Sequence, residues 1–352
     1  MTFEQMIQPV WRTTTVYGET FTMVRDKKGE ASAPFLYTPL QILSVTNATQ
    51  TETYEQGIDY IIEDNCIKLT ENSRIFSFTE QEVYYDTEHV EGKHFYYPKG
   101  NLLYGVLDFF HQRQIAVTYT CQAGGWQGHV PVLAVDKLPR TFAKLQNKQP
   151  LTVVIFGDSI SMGADSSKVF NKPPYQPAYA ELFIEGLKRH FNTDITMHNP
   201  SVGGMDAVWA RNNAQELVSV HNPDLVVIAF GMNDGGKTPQ AFNDCISDIM
   251  QKVRETNPNA EFLLVGTSTP NPLLTDPRSH FNNGQELFTD ALFSLAEKEE
   301  NAIGVAVANI RDMQKFLHTK KRFIDTTGNH VNHPNDFFYR LYAQYLCGMF
   351  YS

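Results

Sequence analysis

Four residue types placed at the ends of apolar runs could together carry out acyl transfer. The run Leu151–Phe156 leads into Gly157-Asp158-Ser159, and Ile195–His198 leads, past Asn199, into Pro200-Ser201-Val202-Gly203-Gly204. The run Leu225–Phe230 leads into Gly231-Met232-Asn233-Asp234, and Gly328-Asn329-His330-Val331-Asn332-His333-Pro334-Asn335-Asp336 stands far downstream. Ester hydrolysis needs a hydroxyl to attack and a base to take its proton. It also needs hydrogen-bond donors for the oxyanion of the tetrahedral intermediate. Ser159 is the candidate nucleophile and His333 the candidate base. The Ser159 amide, the Gly204 amide and the Asn233 side chain are the candidate oxyanion donors. A glycine at 204 lets backbone approach a substrate with no Cβ in the way.

These groups meet only if the runs are strands that end on one edge of a sheet. From Leu151 onward the apolar runs Leu151–Phe156, Ile195–His198, Leu225–Phe230, Phe262–Gly266 and Ile303–Ala308 alternate with helical patterns. Phe242, Cys245, Ile246, Ile249, Met250 and Val253 line one helical face, as do Tyr179, Leu182, Phe183 and Leu187. Leu287, Ala291, Leu292 and Leu295 form a third such face. Strands alternating with helices predict a parallel sheet covered on both sides, with its active site at the carboxyl ends of the strands. Residues 1–135 have another rhythm. Short β-rich runs at Phe35–Tyr37, Leu40–Val45, Tyr60–Ile62, Ile67–Leu69, Glu82–Tyr85 and Ile115–Cys121, punctuated by turn residues, predict a sandwich or jelly-roll-like accessory domain. Residues 136–150 read as a linker, and 151–352 as the α/β domain.

Composition narrows the partners. A 352-residue chain with 42% hydrophobic and 12% aromatic residues can build a large core. A net charge of −10 argues against a nucleic-acid partner. Cys66, Cys121, Cys245 and Cys347 are far apart, which suggests neither a disulfide framework nor a zinc knuckle. No run reaches the roughly 20 apolar residues of a membrane span. The first residues lack the pattern of a secretory leader, so a cytoplasmic protein is expected, or a secreted one if a leader has been trimmed.

The four blocks resemble those of the SGNH/GDSL hydrolase superfamily, named for Ser, Gly, Asn and His. Gly157–Ser159, Asn199–Gly204, Gly231–Asp234 and His333-Pro334 follow one another in that order, and the resemblance covers about residues 150–352. It implies a flavodoxin-like three-layer α/β/α fold and a cofactor-independent serine esterase acting on acetylated carbohydrate or another small ester. The family commonly places an aspartate three residues before the histidine. Here that position is His330, and Asn332 directly precedes His333. The expectation is therefore a Ser–His dyad, with the His333 Nδ1–H held by a backbone carbonyl such as that of His330. Asp325 and Asp336 are the alternative carboxylates.

Other residues have two readings. Asp158 contacts substrate or stabilises its turn. Trp209, Arg211 and Trp126 contact a sugar or simply pack. His330 and His333 could be imagined as metal ligands, but no Cys, His or carboxylate cluster completes a site, and no metal is expected. Gly231–Thr238 fits the phosphate-loop pattern G-x-x-x-x-G-K-[ST]. Against a nucleotide, Pro239 removes an amide at once, the strand before it is the third rather than the first, and the next strand ends without an aspartate for magnesium. The competing functions are a lipase, lysophospholipase or thioesterase of the same fold, a non-catalytic carbohydrate-binding protein, and a phosphate-loop NTPase.

Overall fold

A computed structural model describes residues 1–85, 88, 90, 94–282 and 284–352. Its centre is a five-stranded parallel sheet. In chain order the strands are Leu151–Gly157, Ile195–His198, Leu225–Ala229, Glu261–Gly266 and Val305–Asn309. In space the second lies at one edge and the first beside it, followed by the third, fourth and fifth. Pairing is in register through Leu151↔Ile195, Val153↔Leu225, Leu225↔Glu261 and Phe262↔Val305. The order 2-1-3-4-5 reverses between the first and third strands, and ligands of such sheets bind at the carboxyl ends near that reversal.

Side chains of a strand alternate between faces, and here both faces are dry. Val153, Ile155, Leu225, Val227, Leu263 and Val265 belong to one core. Val154, Phe156, Val226, Ile228, Phe262 and Leu264 belong to the other. Helices Ala207–Leu217, Pro239–Thr256 and Leu287–Ala296 cover the second face. Tyr179–Phe191 and Asp336–Gly348 pack on the first. Thr238 caps the Pro239–Thr256 helix by accepting from the Ala241 amide, and Pro239 stands where its missing amide costs nothing.

The amino-terminal half forms several small, mostly antiparallel sheets. One joins Thr15–Thr22, Gln114–Thr120 and Gln41–Asn47, and another joins Ser32–Pro34, Cys66–Leu69 and Tyr60–Glu63. A third joins Tyr84–Tyr85, Gly100–Leu103 and His94–Tyr97. Two expected strands are displaced. Phe35–Tyr37 lies just beyond Ser32–Pro34, and Glu80–Val83 is a helical turn because Thr79 and Glu82 form a reciprocal capping box. Within 136–150, Pro139–Gln146 is a helix that buries Phe142 and Leu145.

One core runs through both halves. Val16, Phe21, Val45, Val117 and Tyr119 share a cluster with Tyr342, Leu346 and Ile155. At its heart lies a buried ion pair. Lys321 Nζ sits 2.7 Å from Glu19 Oε1, and both side chains are 0% exposed. The same carboxylate accepts from the Leu36 amide at 3.0 Å and the Tyr119 hydroxyl at 2.5 Å, and Lys321 also donates to the Pro34 carbonyl. Removing one partner of a dry, fully bonded pair leaves an uncompensated charge. Lys321→Ala should therefore lose about 3–5 kcal/mol in chemical denaturation. A loss below about 1 kcal/mol would mean that the pair is not buried as described.

Candidate active site

Each loop at the carboxyl edge is fixed by its own local chemistry. The first strand must end in glycine. A Cβ at Gly157 would lie 2.2 Å from Ser161 Oγ and 2.6 Å from the Ala229 carbonyl. Asp158 then caps the single helical turn Ser159–Met162, its carboxylate accepting from the Ile160 amide at 2.9 Å. Asp158 is thus a structural residue, 1% exposed. Burial, opposed by the Ile160 amide and the nearby His333, pushes its carboxyl up to about 7. Gly163 closes the turn at φ +94°.

His333 is held by a loop folded around Asn329. The Asn329 side-chain oxygen accepts from the amides of Val331, Asn332 and His333 at 2.9, 2.9 and 3.1 Å. The His333 carbonyl accepts from Thr327 Oγ1 at 2.8 Å and from the Gly328 amide at 2.9 Å. Its Nε2 lies 2.9 Å from Ser159 Oγ, across 174 residues of chain.

The other ring nitrogen corrects the sequence expectation. His333 Nδ1 is held at 2.8 Å by Asp165 Oδ2, not by a backbone carbonyl. A carboxylate at Nδ1 fixes the tautomer with the proton there, which leaves Nε2 free to accept from the serine hydroxyl. Asp165 follows Ser159 on the same loop, at φ +63°, in the left-handed region that only a minority of non-glycine residues occupy. Gly328 makes room for it, since a Cβ there would sit 2.5 Å from the Asp165 Cβ. Sequence reading sought the carboxylate near the histidine and missed one near the serine.

The three residues proposed to orient His333 have other employment. Asp325 pairs with Arg322 at 2.7 Å and accepts from the Thr22 amide at 2.9 Å. Burial opposes its ionisation, but Arg322 and Lys321 outweigh burial and hold its carboxyl below the usual range. Asp336 accepts from the Ser167 amide at 2.9 Å, while Asn335 caps the last helix. His330 turns its Nδ1 to the Leu103 carbonyl at 3.1 Å. The two histidines therefore do not converge. Among the described residues no group of three or more His, Cys, Asp and Glu is placed to hold a metal.

The glycine and asparagine blocks are stapled together. Asn233 donates to the Met205 carbonyl at 3.0 Å, and Asp234 accepts from the Ala207 amide at 3.0 Å. Gly204 sits at φ +77°. A Cβ on its neighbour Gly203 would lie 3.6 Å from the Ser159 Cβ, which places this backbone against the serine. One Asn233 amide hydrogen is taken by Met205, so the second is left for a ligand. Lys237 bridges Asp206 at 2.6 Å and Asp234 at 3.0 Å. That ion triad uses up the lysine of the phosphate-loop pattern, and Thr238 is used as a helix cap.

The aromatic candidates each have packing partners. Trp126 is 8% exposed, packs between Trp11 and Phe316, and donates to the His129 carbonyl. Trp209 packs on Phe156 beside the second core. Arg211 lies 3.7 Å from Asp248. Tyr104 was not anticipated. Burial raises its hydroxyl pKa and the nearby Asp165 charge adds to the rise, while its ring packs on Phe95 at 5.0 Å. Phe95 packs in turn on Phe281 at 5.9 Å, which makes Tyr104 one end of a short aromatic cluster.

The arrangement is that of a hydrolase of the family its sequence matches. Residues 155–341 of the 352 fit the GDSL-like Lipase/Acylhydrolase family, and the chain belongs to that family. An arylesterase of Vibrio mimicus is 23% identical over 150 residues, 42% of this chain and 66% of that protein. Among solved structures, a two-domain esterase (CEX) active on acetylated mannans is 19% identical, with 61% of this chain and 52% of that one covered at a TM-score of 0.46. A catalytic mutant of Axe2, an acetylxylan esterase from Geobacillus stearothermophilus, is 14% identical, with 57% and 95% covered at a TM-score of 0.47. The chain thus spans about two thirds of the arylesterase and about half of the mannan esterase.

If Asp165 sets the tautomer of His333, Asp165→Asn should lower kcat on an aryl ester by about 10³- to 10⁴-fold with little change in KM. A loss under about tenfold would show that the carboxylate does not act through the imidazole.

Proposed function

We propose that the protein is a serine esterase that removes short acyl groups, acetyl above all, from hydroxyls of carbohydrate. The observation that carries the esterase reading is the unbroken relay from Asp165 through His333 to Ser159, with hydrogen bonds of 2.8 and 2.9 Å. His333 Nε2 takes the hydroxyl proton as Ser159 Oγ attacks the ester carbonyl. The Ser159 amide, the Gly204 amide and the free hydrogen of Asn233 Nδ2 receive the oxyanion. The imidazolium gives its proton to the departing alcohol oxygen. Water, deprotonated by the same nitrogen, then releases the acid from the acyl-enzyme and restores Ser159.

Two features favour a small acyl group on a bulky polar alcohol. The serine lies near the surface, 7% exposed, with Met162 at 47% and Val202 at 39% beside it. The half-buried rings of Tyr104 and Phe95, set edge to face at 69°, offer apolar contact to the C–H face of a sugar ring. The Vibrio mimicus relative is named an arylesterase, which supports aryl esters as first substrates.

The test is a chain-length series of aryl esters, acetyl to decanoyl, followed by acetylated oligosaccharides. The rate should fall with chain length, and Ser159→Ala should lose about 10⁴- to 10⁶-fold in kcat. A preference for decanoyl over acetyl would replace this reading with a lipase or thioesterase.

A further inference from the structure

A second cavity, of about 480 Å³, opens where the amino-terminal sheets meet the hydrolase chain, and neither Ser159 nor His333 lines it. Its size falls within the roughly 300–1,000 Å³ usual for small-molecule sites. The amino-terminal half contributes Glu30, Glu80 and Tyr84, and the carboxyl-terminal half contributes Asn271, Phe323 and His330.

His330 is the informative residue. It is 1% exposed, yet it lines the cavity. Its Nδ1 faces the Leu103 carbonyl, which can only accept, so Nδ1 carries the proton. Burial drives its pKa down to about 4, so the ring is neutral at ordinary pH. Nε2 is then an unprotonated acceptor, and among the described residues it has no protein donor. The Tyr84 ring stands edge-on to it at 6.2 Å.

The charges around it decide the kind of ligand. Of the two arginines in the lining, Arg322 is ion-paired, whereas Arg25 is bonded only to neutral groups among the described residues and keeps N–H donors to spare. Arg322 donates to Asp325, to Thr22 O at 2.7 Å and to Ser32 O at 3.2 Å. Arg25 donates to Gly29 O at 2.7 Å and Ser77 Oγ at 3.0 Å. The carboxylates of Glu30 and Glu80 have no protein partner among the described residues. The carboxylates of Asp26, Glu30 and Glu80 outnumber the one guanidinium left without an ion pair among the described lining residues, Arg25. The lining therefore disfavours anions, and its mix of spare acceptors and Arg25 N–H donors suits a polyhydroxyl ligand.

We propose that this cavity is a carbohydrate-binding site separate from the catalytic serine, in which a ligand hydroxyl donates to His330 Nε2, others donate to Glu80 and Glu30, and the Tyr84 ring packs on the sugar. The inference does not depend on the esterase reading, because it concerns binding alone. Its test is titration of the full chain, as Ser159→Ala and as wild type covalently blocked at the serine, with glucose, mannose, xylose and their β-1,4-linked disaccharides. Isothermal calorimetry and saturation-transfer NMR are the readouts. Saturable binding is expected to persist in the blocked protein and to weaken about three- to tenfold in Glu80→Gln and in His330→Phe, a lost hydrogen bond each. Glu80 lies on the rim, so Glu80→Gln should keep its fold and its aryl-ester turnover even if His330→Phe does not. Binding that vanishes on blocking the serine, binding indifferent to Glu80→Gln, or uptake only of a cationic probe such as spermidine would each overturn the assignment. Failure of ester hydrolysis in the wild type would remove the proposed function and leave this result standing.

Discussion

The structure depends on holding one imidazole between a carboxylate at 2.8 Å and a hydroxyl at 2.9 Å. The carboxylate and hydroxyl travel together on the loop after the first strand, while the imidazole arrives from far downstream in the chain. A hydrogen bond tolerates only a few tenths of an ångström of error. Two remote loops must therefore be rigid and brought to one place. The 2-1-3-4-5 strand order brings the first and third strand ends side by side, and Asn329 turns the histidine loop into a small hydrogen-bonded nest. Glycines at 157 and 328 are required because the neighbouring segments approach too closely for any side chain.

The amino-terminal half braces that loop. The Gly105 amide donates to the Asn329 carbonyl at 3.3 Å, and the Leu103 carbonyl accepts from His330. Gln114 donates to the Thr327 carbonyl at 3.0 Å, and Asn335 donates to Thr20 Oγ1 at 2.9 Å. These groups are buried, so each would carry a desolvation penalty if its partner were lost. The Glu19–Lys321 pair and the continuous apolar core join the same two parts of the chain. The sheets before residue 135 thus act on the site through the loop that carries His333.

The α/β rhythm was legible because a strand buried on both faces reads as an unbroken apolar run, as Leu225–Ala229 does. The serine, glycine and asparagine blocks were legible because each follows a strand run at once. The histidine block, set off from the last strand by the helix Ile310–Leu317, was legible only through its resemblance to the family's fourth block. Asp165 was not, because its partner lies 168 residues away and nothing local marks a carboxylate as facing a distant ring. The strand Thr15–Thr22 escaped notice because its polar residues are buried: Glu19, Thr20 and Thr22 are each 4% exposed or less. Their partners Lys321, Asp325 and Asn335 come from the far end of the chain, so nothing local shows that these polar side chains are buried. The helix Pro139–Gln146 was hidden by the prolines and charges that made its surroundings read as a linker.

Two hydrogen bonds in series couple Asp165 to Ser159 only through His333, so the three residues should act as one unit rather than as three separate contributors. The most direct measurement is a double-mutant cycle on kcat for aryl acetate, comparing Asp165→Ala, His333→Ala and the double variant. Members of one relay are strongly non-additive, so the double variant should be no slower than His333→Ala alone. If the two losses instead multiply, Asp165 contributes independently of the imidazole, and the relay described here is wrong.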